Sequence, residues 1–175
     1  MLSLFCLHFF ITQNRIINHR KMKKILIIAA LMLGTAFAAA AQPRAIGGRL
    51  GWGLEASYQH TVNGADFVEA NLGLFTFNHA NATATYNFMI AQPGWTPRGE
   101  WGFYAGPGAS VGVGFNGGAS IAVAGQVGLE YTFWFPLQLS VDLRPQIGVW
   151  LNNGAGFYTG GLYGFVPCLS VRYRF

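Results

Sequence analysis

The stretch Leu137-Gln-Leu-Ser-Val-Asp-Leu-Arg-Pro-Gln-Ile-Gly-Val149 alternates between apolar and polar residues along its whole length. Its odd positions are apolar, and its even positions are Gln, Ser, Asp, Arg, Gln and Gly. Successive side chains of an extended chain point to opposite faces, so this period of two predicts a β-strand with one apolar face. Residues 121–133 alternate in the same way, and the short connection Trp134-Phe135-Pro136 predicts a hairpin between the two strands.

Charged residues are scarce, and this scarcity indicates which face of the strands meets water. Hydrophobic residues make up 52% of the chain and charged residues only 10%, whereas a soluble domain carries roughly 25% charged residues. From residue 42 onward there are six Arg, six acidic residues and no Lys. So few charges cannot cover a water-facing barrel. We therefore expect the apolar faces to contact lipid and the polar faces to fill the interior.

Nine charged residues fall on the polar positions of the predicted strands. They are Arg49, Glu55, Glu69, Glu100, Glu130, Asp142, Arg144, Arg172 and Arg174. Buried charges require partners of opposite sign, and an eight-stranded barrel encloses just enough space for side chains to fill. We therefore predict a charge network in a side-chain-filled lumen, with inward glycines leaving room for Tyr104 and the arginines.

The number of strands follows from the remaining alternating runs. Residues 68–74, 83–90, 100–111 and 169–175 each alternate, and Gly- and Asn-rich turns separate them. Residues 44–61 could form one long strand or two short ones that fold back at Gly51-Trp52-Gly53. Bacterial outer-membrane barrels have an even number of strands and both termini on one side. We therefore predict two strands there, and an all-β, up-and-down antiparallel transmembrane barrel of eight strands with short loops.

The first 41 residues are predicted to be a leader outside the barrel. Lys23-Lys24 precede an apolar run and a small-residue end at Ala39 and Ala41, a pattern typical of a signal peptide cleaved before Gln42. The alternative, a transmembrane helix over residues 25–41, is short for about 30 Å of hydrocarbon. Because Met22 is a natural start, we assign residues 1–21 to an upstream extension, 22–41 to the signal peptide and 42–175 to the barrel.

The net charge of +5 lies entirely in this leader, because residues 42–175 carry equal numbers of Arg and acidic residues. No basic surface remains for nucleic acid after cleavage. Two histidines and one cysteine in the barrel domain lack metal-ligand spacing, and the glycine-rich runs lack the helix that a phosphate loop requires. The sequence therefore predicts no cofactor, no metal and no nucleic-acid partner.

The leader, the alternating strands and the last strand Leu169-Ser-Val-Arg-Tyr-Arg-Phe175 resemble the small outer-membrane β-barrels of Gram-negative bacteria, of the OmpA-transmembrane-domain and OmpX type. The resemblance covers residues 44–175 as architecture and not through a sharp motif. It implies location in the cell outer membrane, surrounded by lipid. It also implies that the barrel-assembly machinery reads Leu169, Val171, Tyr173 and Phe175 during insertion.

Three functions are compatible with this architecture, and we predict the first of them, with no catalytic activity and no open pore. The first is a structural or accessory outer-membrane protein, with a larger envelope complex as a candidate partner. The predicted outer loops of the chain are short and uncharged, unlike those of adhesins and receptors; they lie near 51–53, 76–81, 112–119 and 151–161. Exposed aromatic residues on the rim are expected at Phe77, Phe115, Phe157 and Tyr158. The second is an enzyme that modifies lipid A acyl chains, in which His79, placed in an outer loop, would activate Ser110 or Ser120. The third is a narrow channel.

Overall fold

The computed structural model describes residues 44–51, 53–75, 79–152, 154–158 and 164–175. The predicted leader and Phe77 lie outside these ranges. Within them, no helix is long and apolar enough to cross a membrane. The described strands are β1 Arg44–Leu50, β2 Gly53–Asn63, β3 Asp66–Phe75, β4 His79–Ala91, β5 Glu100–Gly114, β6 Ala119–Thr132, β7 Leu137–Leu143, β8 Gln146–Leu151, β9 Ala155–Tyr158 and β10 Cys168–Arg174.

These strands close into an antiparallel barrel with eight strand positions. Each strand from β1 to β6 pairs with the next one, β7 also pairs with β10, and β10 pairs with β1 to complete the ring. The predicted eight-stranded barrel is therefore confirmed. Residues 44–61 form two strands, since β1 and β2 pair from Arg44–His60 to Leu50–Leu54. Closure leaves no unpaired sheet edge in the ring itself.

The predicted seventh strand, residues 137–149, is divided at Arg144-Pro145. β7 and β8 both pair with β6, but β7 has β10 as its other neighbour and β8 has β9. Proline has no backbone N–H to donate, although the Pro145 carbonyl still accepts a hydrogen bond from the Gly125 amide at 3.0 Å. The ladder to β6 therefore continues past the proline, while the ladder on the other side changes partner.

Polar and apolar side chains are sorted in the opposite way to those of a soluble protein. Among the described residues, 23 polar or charged side chains are buried, against only seven hydrophobic ones. Large hydrophobic side chains face outward instead, including Leu54, Val123 and Leu169, each at least 50% exposed. The period of two therefore places the polar face of the strands in the lumen, as the charge count predicts.

The barrel has two distinct ends, which we name by what lies there. The terminus end carries Arg44 and Phe175, whose backbones exchange hydrogen bonds of 3.0 and 2.8 Å, and the connections β2–β3, β4–β5 and β6–β7. The loop end carries the connections that follow β1, β3, β5 and β8. The longest connection of the terminus end, residues 92–99, joins β4 to β5.

Candidate functional site

Four charged side chains form a buried cluster in the half of the lumen nearer the loop end, which we call the loop-side cluster. Arg49 on β1 donates from Nη1 to Glu55 Oε2 at 3.0 Å, and from Nη2 and Nε to Asp142 Oδ1 at 2.6 and 3.1 Å. Arg144, just after β7, donates from Nη2 to Glu55 Oε1 at 2.7 Å. Two arginines and two carboxylates make the cluster neutral, as a low-dielectric interior requires.

A single ion pair forms a second cluster nearer the terminus end, the terminus-side cluster. Arg172 Nη2 donates to Glu69 Oε1 at 2.8 Å, and both side chains are fully buried. Neutral groups complete the coordination of both ions. Glu69 also accepts from Asn71, Gln59 and Gln126 at 2.9, 3.1 and 3.3 Å, and Arg172 donates to the hydroxyls of Ser57 and Ser140 at 2.8 and 2.7 Å.

The other three predicted lumen charges occupy different surroundings. Glu130 is buried, and its Oε2 accepts from Gln138 Nε2 at 2.9 Å; it belongs to none of the ion pairs of the described residues. Glu100 and Arg174 lie at the terminus end, with Oε2 and Nη1 3.8 Å apart and side chains 69% and 33% exposed. The structure thus divides the nine residues into two buried clusters, one buried carboxylate and one rim pair.

Tyr104 is completely buried in the lumen beside Phe67, and the two rings meet edge to face with centroids 5.0 Å apart. A Cβ on Gly128 would lie 2.5 Å from Tyr104 Oη and 2.8 Å from Asp142 Cβ. The expectation that inward glycines make room for Tyr104 is confirmed at this position. Because Gly128 lies beside both Tyr104 and Asp142, any added side chain there would displace part of the loop-side cluster.

Three aromatic rings, His79, Trp150 and Tyr158, occupy the loop end of the lumen. His79 lies edge-on to Trp150 and Tyr158, with ring centroids 5.9 and 6.3 Å away, and its Nε2 is 3.4 Å from Tyr158 Oη. The predicted placement of His79 in a loop is wrong, because it is the first residue of β4 and points inward. The predicted exposure of Tyr158 is also wrong, since Tyr158 is 4% exposed. Phe115 and Phe157 are exposed as expected.

The two candidate nucleophiles for acyl chemistry also line the lumen. Ser110 Oγ donates to Gln146 Oε1 at 2.8 Å, so its proton is directed to an amide oxygen. Ser120 is buried beside Gly112, where a Cβ would lie 2.6 Å from Ser120 Oγ and 3.6 Å from His79 Cδ2. Among the described residues, no group of three His, Cys, Asp or Glu side chains could hold a metal ion.

The residues of the expected assembly signal lie on the outer surface at the end of the chain. Leu169, Val171 and Tyr173 on β10 and Phe175 after it point outward and are 47–57% exposed. They form an apolar stripe, while Ser170 and Arg172 between them point into the lumen and are buried. Recognition of this stripe by an assembly machinery stays a prediction.

The fold and its interior define a class: a closed eight-stranded antiparallel barrel with a polar, charge-paired lumen and an apolar exterior. Comparisons of the chain with protein-family models, with the curated proteins and with the solved structures give no match. The resemblance to small outer-membrane barrels stays an expectation from the sequence.

Proposed function

We propose that this chain is a structural or accessory β-barrel protein of the cell outer membrane, which spans the bilayer and has a filled lumen. The observation that carries the proposal is the outer surface of the strands. Away from the terminus end, no outward-facing residue of the described strands is an acid, an Arg or a Lys. A continuous apolar exterior of this kind is typical of a surface that contacts a membrane.

The terminus end supports a membrane interface at that level. Trp95, Trp101, Tyr131 and Phe133 form a chain of touching rings with centroids 4.6–5.4 Å apart. Their polar atoms find partners toward the connection 92–99: Trp101 Nε1 donates to Thr96 Oγ1 at 3.2 Å, and Tyr131 Oη donates to the Arg98 carbonyl at 2.9 Å. Rings with one apolar and one hydrogen-bonded edge suit the boundary between hydrocarbon and water.

The two buried clusters support a filled lumen as opposed to a channel. Arg49, Glu55, Asp142, Glu69 and Arg172 are each at most 5% exposed. An ion would have to separate these pairs to pass between them. We therefore expect purified protein in a planar bilayer to show almost no single-channel conductance, and steady conducting events would contradict a plugged barrel.

Thiol labelling tests the orientation directly. Leu139, Val141 and Leu143 are each replaced by Cys in a Cys6→Ser, Cys168→Ser background, and native membranes are treated with a water-soluble maleimide. We expect all three thiols to resist modification because acyl chains cover them. Asn116→Cys, in the exposed β5–β6 connection, is the matched control and labels readily. Ready labelling at the three strand positions, or recovery of the protein in the soluble fraction, would overturn the proposal.

A charge placed on the same face tests the proposal energetically. Val141→Lys puts an ammonium group among acyl chains and lowers the free energy of unfolding in lipid vesicles by about 2–4 kcal/mol. Phe135→Lys, in the short β6–β7 turn at the terminus end, is the matched control and costs only about 0–1 kcal/mol near the interface. Urea titration followed by heat-dependent gel mobility measures both variants. Equal effects would mean that Val141 does not lie at mid-membrane.

The structural role also makes a prediction about lipid A. In a strain that expresses His79→Ala, the acylation pattern of lipid A is expected to equal that of the wild type, because His79 serves packing against Trp150 and Tyr158. Mass spectrometry of extracted lipid A measures the pattern. A change in acyl chains that depends on His79 would favour the enzyme alternative.

A further inference from the structure

A cavity of about 200 Å³ opens at the terminus end of the barrel, and none of the six charged residues of the two buried clusters lines it. Apolar residues, among them Phe67 and Met89, form one part of its wall. Polar side chains form the rest, including Glu130, Gln138 and Arg174. The cavity is smaller than the roughly 300–1,000 Å³ of sites for drug-sized ligands, so it suits a molecule of about the size of one amino acid.

Two hydrogen-bond acceptors with incomplete coordination lie on the inner wall of this cavity. Gln138 is 4% exposed and donates from Nε2 to Glu130 Oε2, which leaves Gln138 Oε1 buried without a partner among the described residues. Glu130 is 8% exposed, and its only described side-chain partner is the neutral amide of Gln138. Arg172 and Arg174 act on the Glu130 carboxylate through space, but neither forms an ion pair with it among the described residues. A buried carboxylate and a buried carbonyl without a cation in contact form a site for an ammonium group.

Positive charge lies on the same cavity, at its rim. Arg174 lines the cavity and is only loosely held, since its pair with Glu100 is 3.8 Å long and both side chains are partly exposed. Arg44 also lines the cavity. A ligand with only a positive charge would meet these arginines on entry, and a ligand with only a negative charge would face Glu130. The electrostatics therefore favour a molecule that carries both charges.

We propose that this terminus-end cavity binds a small zwitterion with a primary ammonium, a carboxylate and an apolar side chain, which is the chemistry of an apolar α-amino acid. The ammonium donates to the Glu130 carboxylate and to Gln138 Oε1. The carboxylate accepts from the Arg174 guanidinium. The apolar side chain packs against Phe67 and Met89.

Three probes that share one carbon skeleton separate the contributions of the two charges. The full chain in detergent micelles is titrated with L-leucine, with isoamylamine, which has only the ammonium, and with 4-methylpentanoate, which has only the carboxylate. Binding is followed by NMR shifts of the Met89 methyl group and the Gln138 side-chain amide. We expect leucine to bind at least about tenfold more tightly than either single-charge analogue.

Two substitutions on opposite sides of the cavity complete the test. Glu130→Gln and Arg174→Gln each weaken leucine binding at least about tenfold, whereas Ser110→Ala, at a lumen position outside the cavity, leaves it unchanged. Arg174 is partly exposed, so its variant stays folded and decides the outcome even if Glu130→Gln does not fold. Absence of any leucine shift at about 50 mM in folded protein, or equal binding of leucine and isoamylamine, would overturn the proposal.

Discussion

The two buried clusters hold their charges in different ways. In the loop-side cluster, each carboxylate is close to an arginine, and Glu55 contacts both Arg49 and Arg144. In the terminus-side cluster, Glu69 has a single cationic partner, Arg172, and neutral amides and a hydroxyl supply its remaining hydrogen bonds. A closed interior can therefore stabilise a carboxylate either with a second cation or with a shell of neutral donors.

The difference has an energetic consequence. In the loop-side cluster, Glu55 keeps one arginine when the other is removed, so its charge stays compensated; we call this second cation a reserve. Arg144 also leaves its own Nε and Nη1 buried without partners in the described structure, which lowers its net contribution. Glu69 has no such reserve, because among the described residues Arg172 is the one cation in contact with its fully buried carboxylate. The terminus-side cluster should be the more fragile of the two.

The largest expected effect comes from Arg172→Met. Loss of the cation that is paired with Glu69 strands a buried charge and lowers the free energy of unfolding by about 3–5 kcal/mol. Arg144→Met, which removes the same chemistry from the loop-side cluster, costs about 1.5–3 kcal/mol, the usual range for a hydrogen bond to a charged group. Urea unfolding of refolded protein in lipid vesicles measures both variants.

A second substitution shows whether the lost stability comes from the Glu69 carboxylate that Arg172→Met leaves without its partner. The double variant Glu69→Gln, Arg172→Met has no buried charge at this site and is expected to be more stable than Arg172→Met alone. If the Arg172 and Arg144 variants lose equal stability, or if the double variant recovers nothing, the distinction between the two clusters is wrong.

The next effect concerns the packing beside the loop-side cluster. Gly128→Ala brings a Cβ to 2.5 Å from Tyr104 Oη and to 2.8 Å from Asp142 Cβ, so both must move. Overpacking of this kind costs about 1–3 kcal/mol. Gly125→Ala lies on the same strand with no atom within 4 Å of its Cβ and serves as the control. If Gly128→Ala leaves the free energy of unfolding unchanged in the same assay, Tyr104 repacks freely and the lumen is less tightly packed than the contacts indicate.

The smallest effect belongs to the rim pair. Arg174→Gln removes a partly exposed partner of Glu100 and changes the free energy of unfolding by only about 0–1 kcal/mol. Comparison with Arg172→Met isolates the effect of burial, because Arg172 and Arg174 are two residues apart on the same face of β10 and differ mainly in exposure. A large loss of stability in Arg174→Gln, measured by urea titration, would mean that the lumen charges act as one connected network.

The face on which each residue lies could be predicted from the sequence. Alternation alone indicates that Arg49, Asp142 and Arg172 share the polar side of their strands, and the shortage of charge indicates that this side is interior. The two-strand assignment of residues 44–61 follows from the requirement for an even number of strands with both termini on one side. The face of each residue depends only on local geometry and composition, whereas the strand number depends on a general rule of barrel topology.

The partners of those residues could not be predicted in the same way. Arg49 and Asp142 are 93 residues apart in the chain, and their contact depends on the register and stagger of strands across the barrel. The strand bounds are a second limit, because β4 begins at His79 and not at residue 83, where the alternation begins. Glu100 lies at the rim because it is the first residue of β5. The division of the lumen into two clusters follows from these long-range distances.

The break at Pro145 also affects how the barrel opens. On the loop-end side of Pro145, the short hairpin β8–β9 has backbone pairing with the ring only through β6, since β9 pairs with β8 alone among the described strands. Side-chain contacts of Trp150 and Tyr158 with His79 hold it in addition. This hairpin can detach without breaking the backbone hydrogen bonds between the strands of the closed ring. Amide hydrogens of Val149 and Leu151 should thus exchange with deuterium sooner than those of Val127 or Leu139, as a local opening of one hairpin costs less than opening the ring.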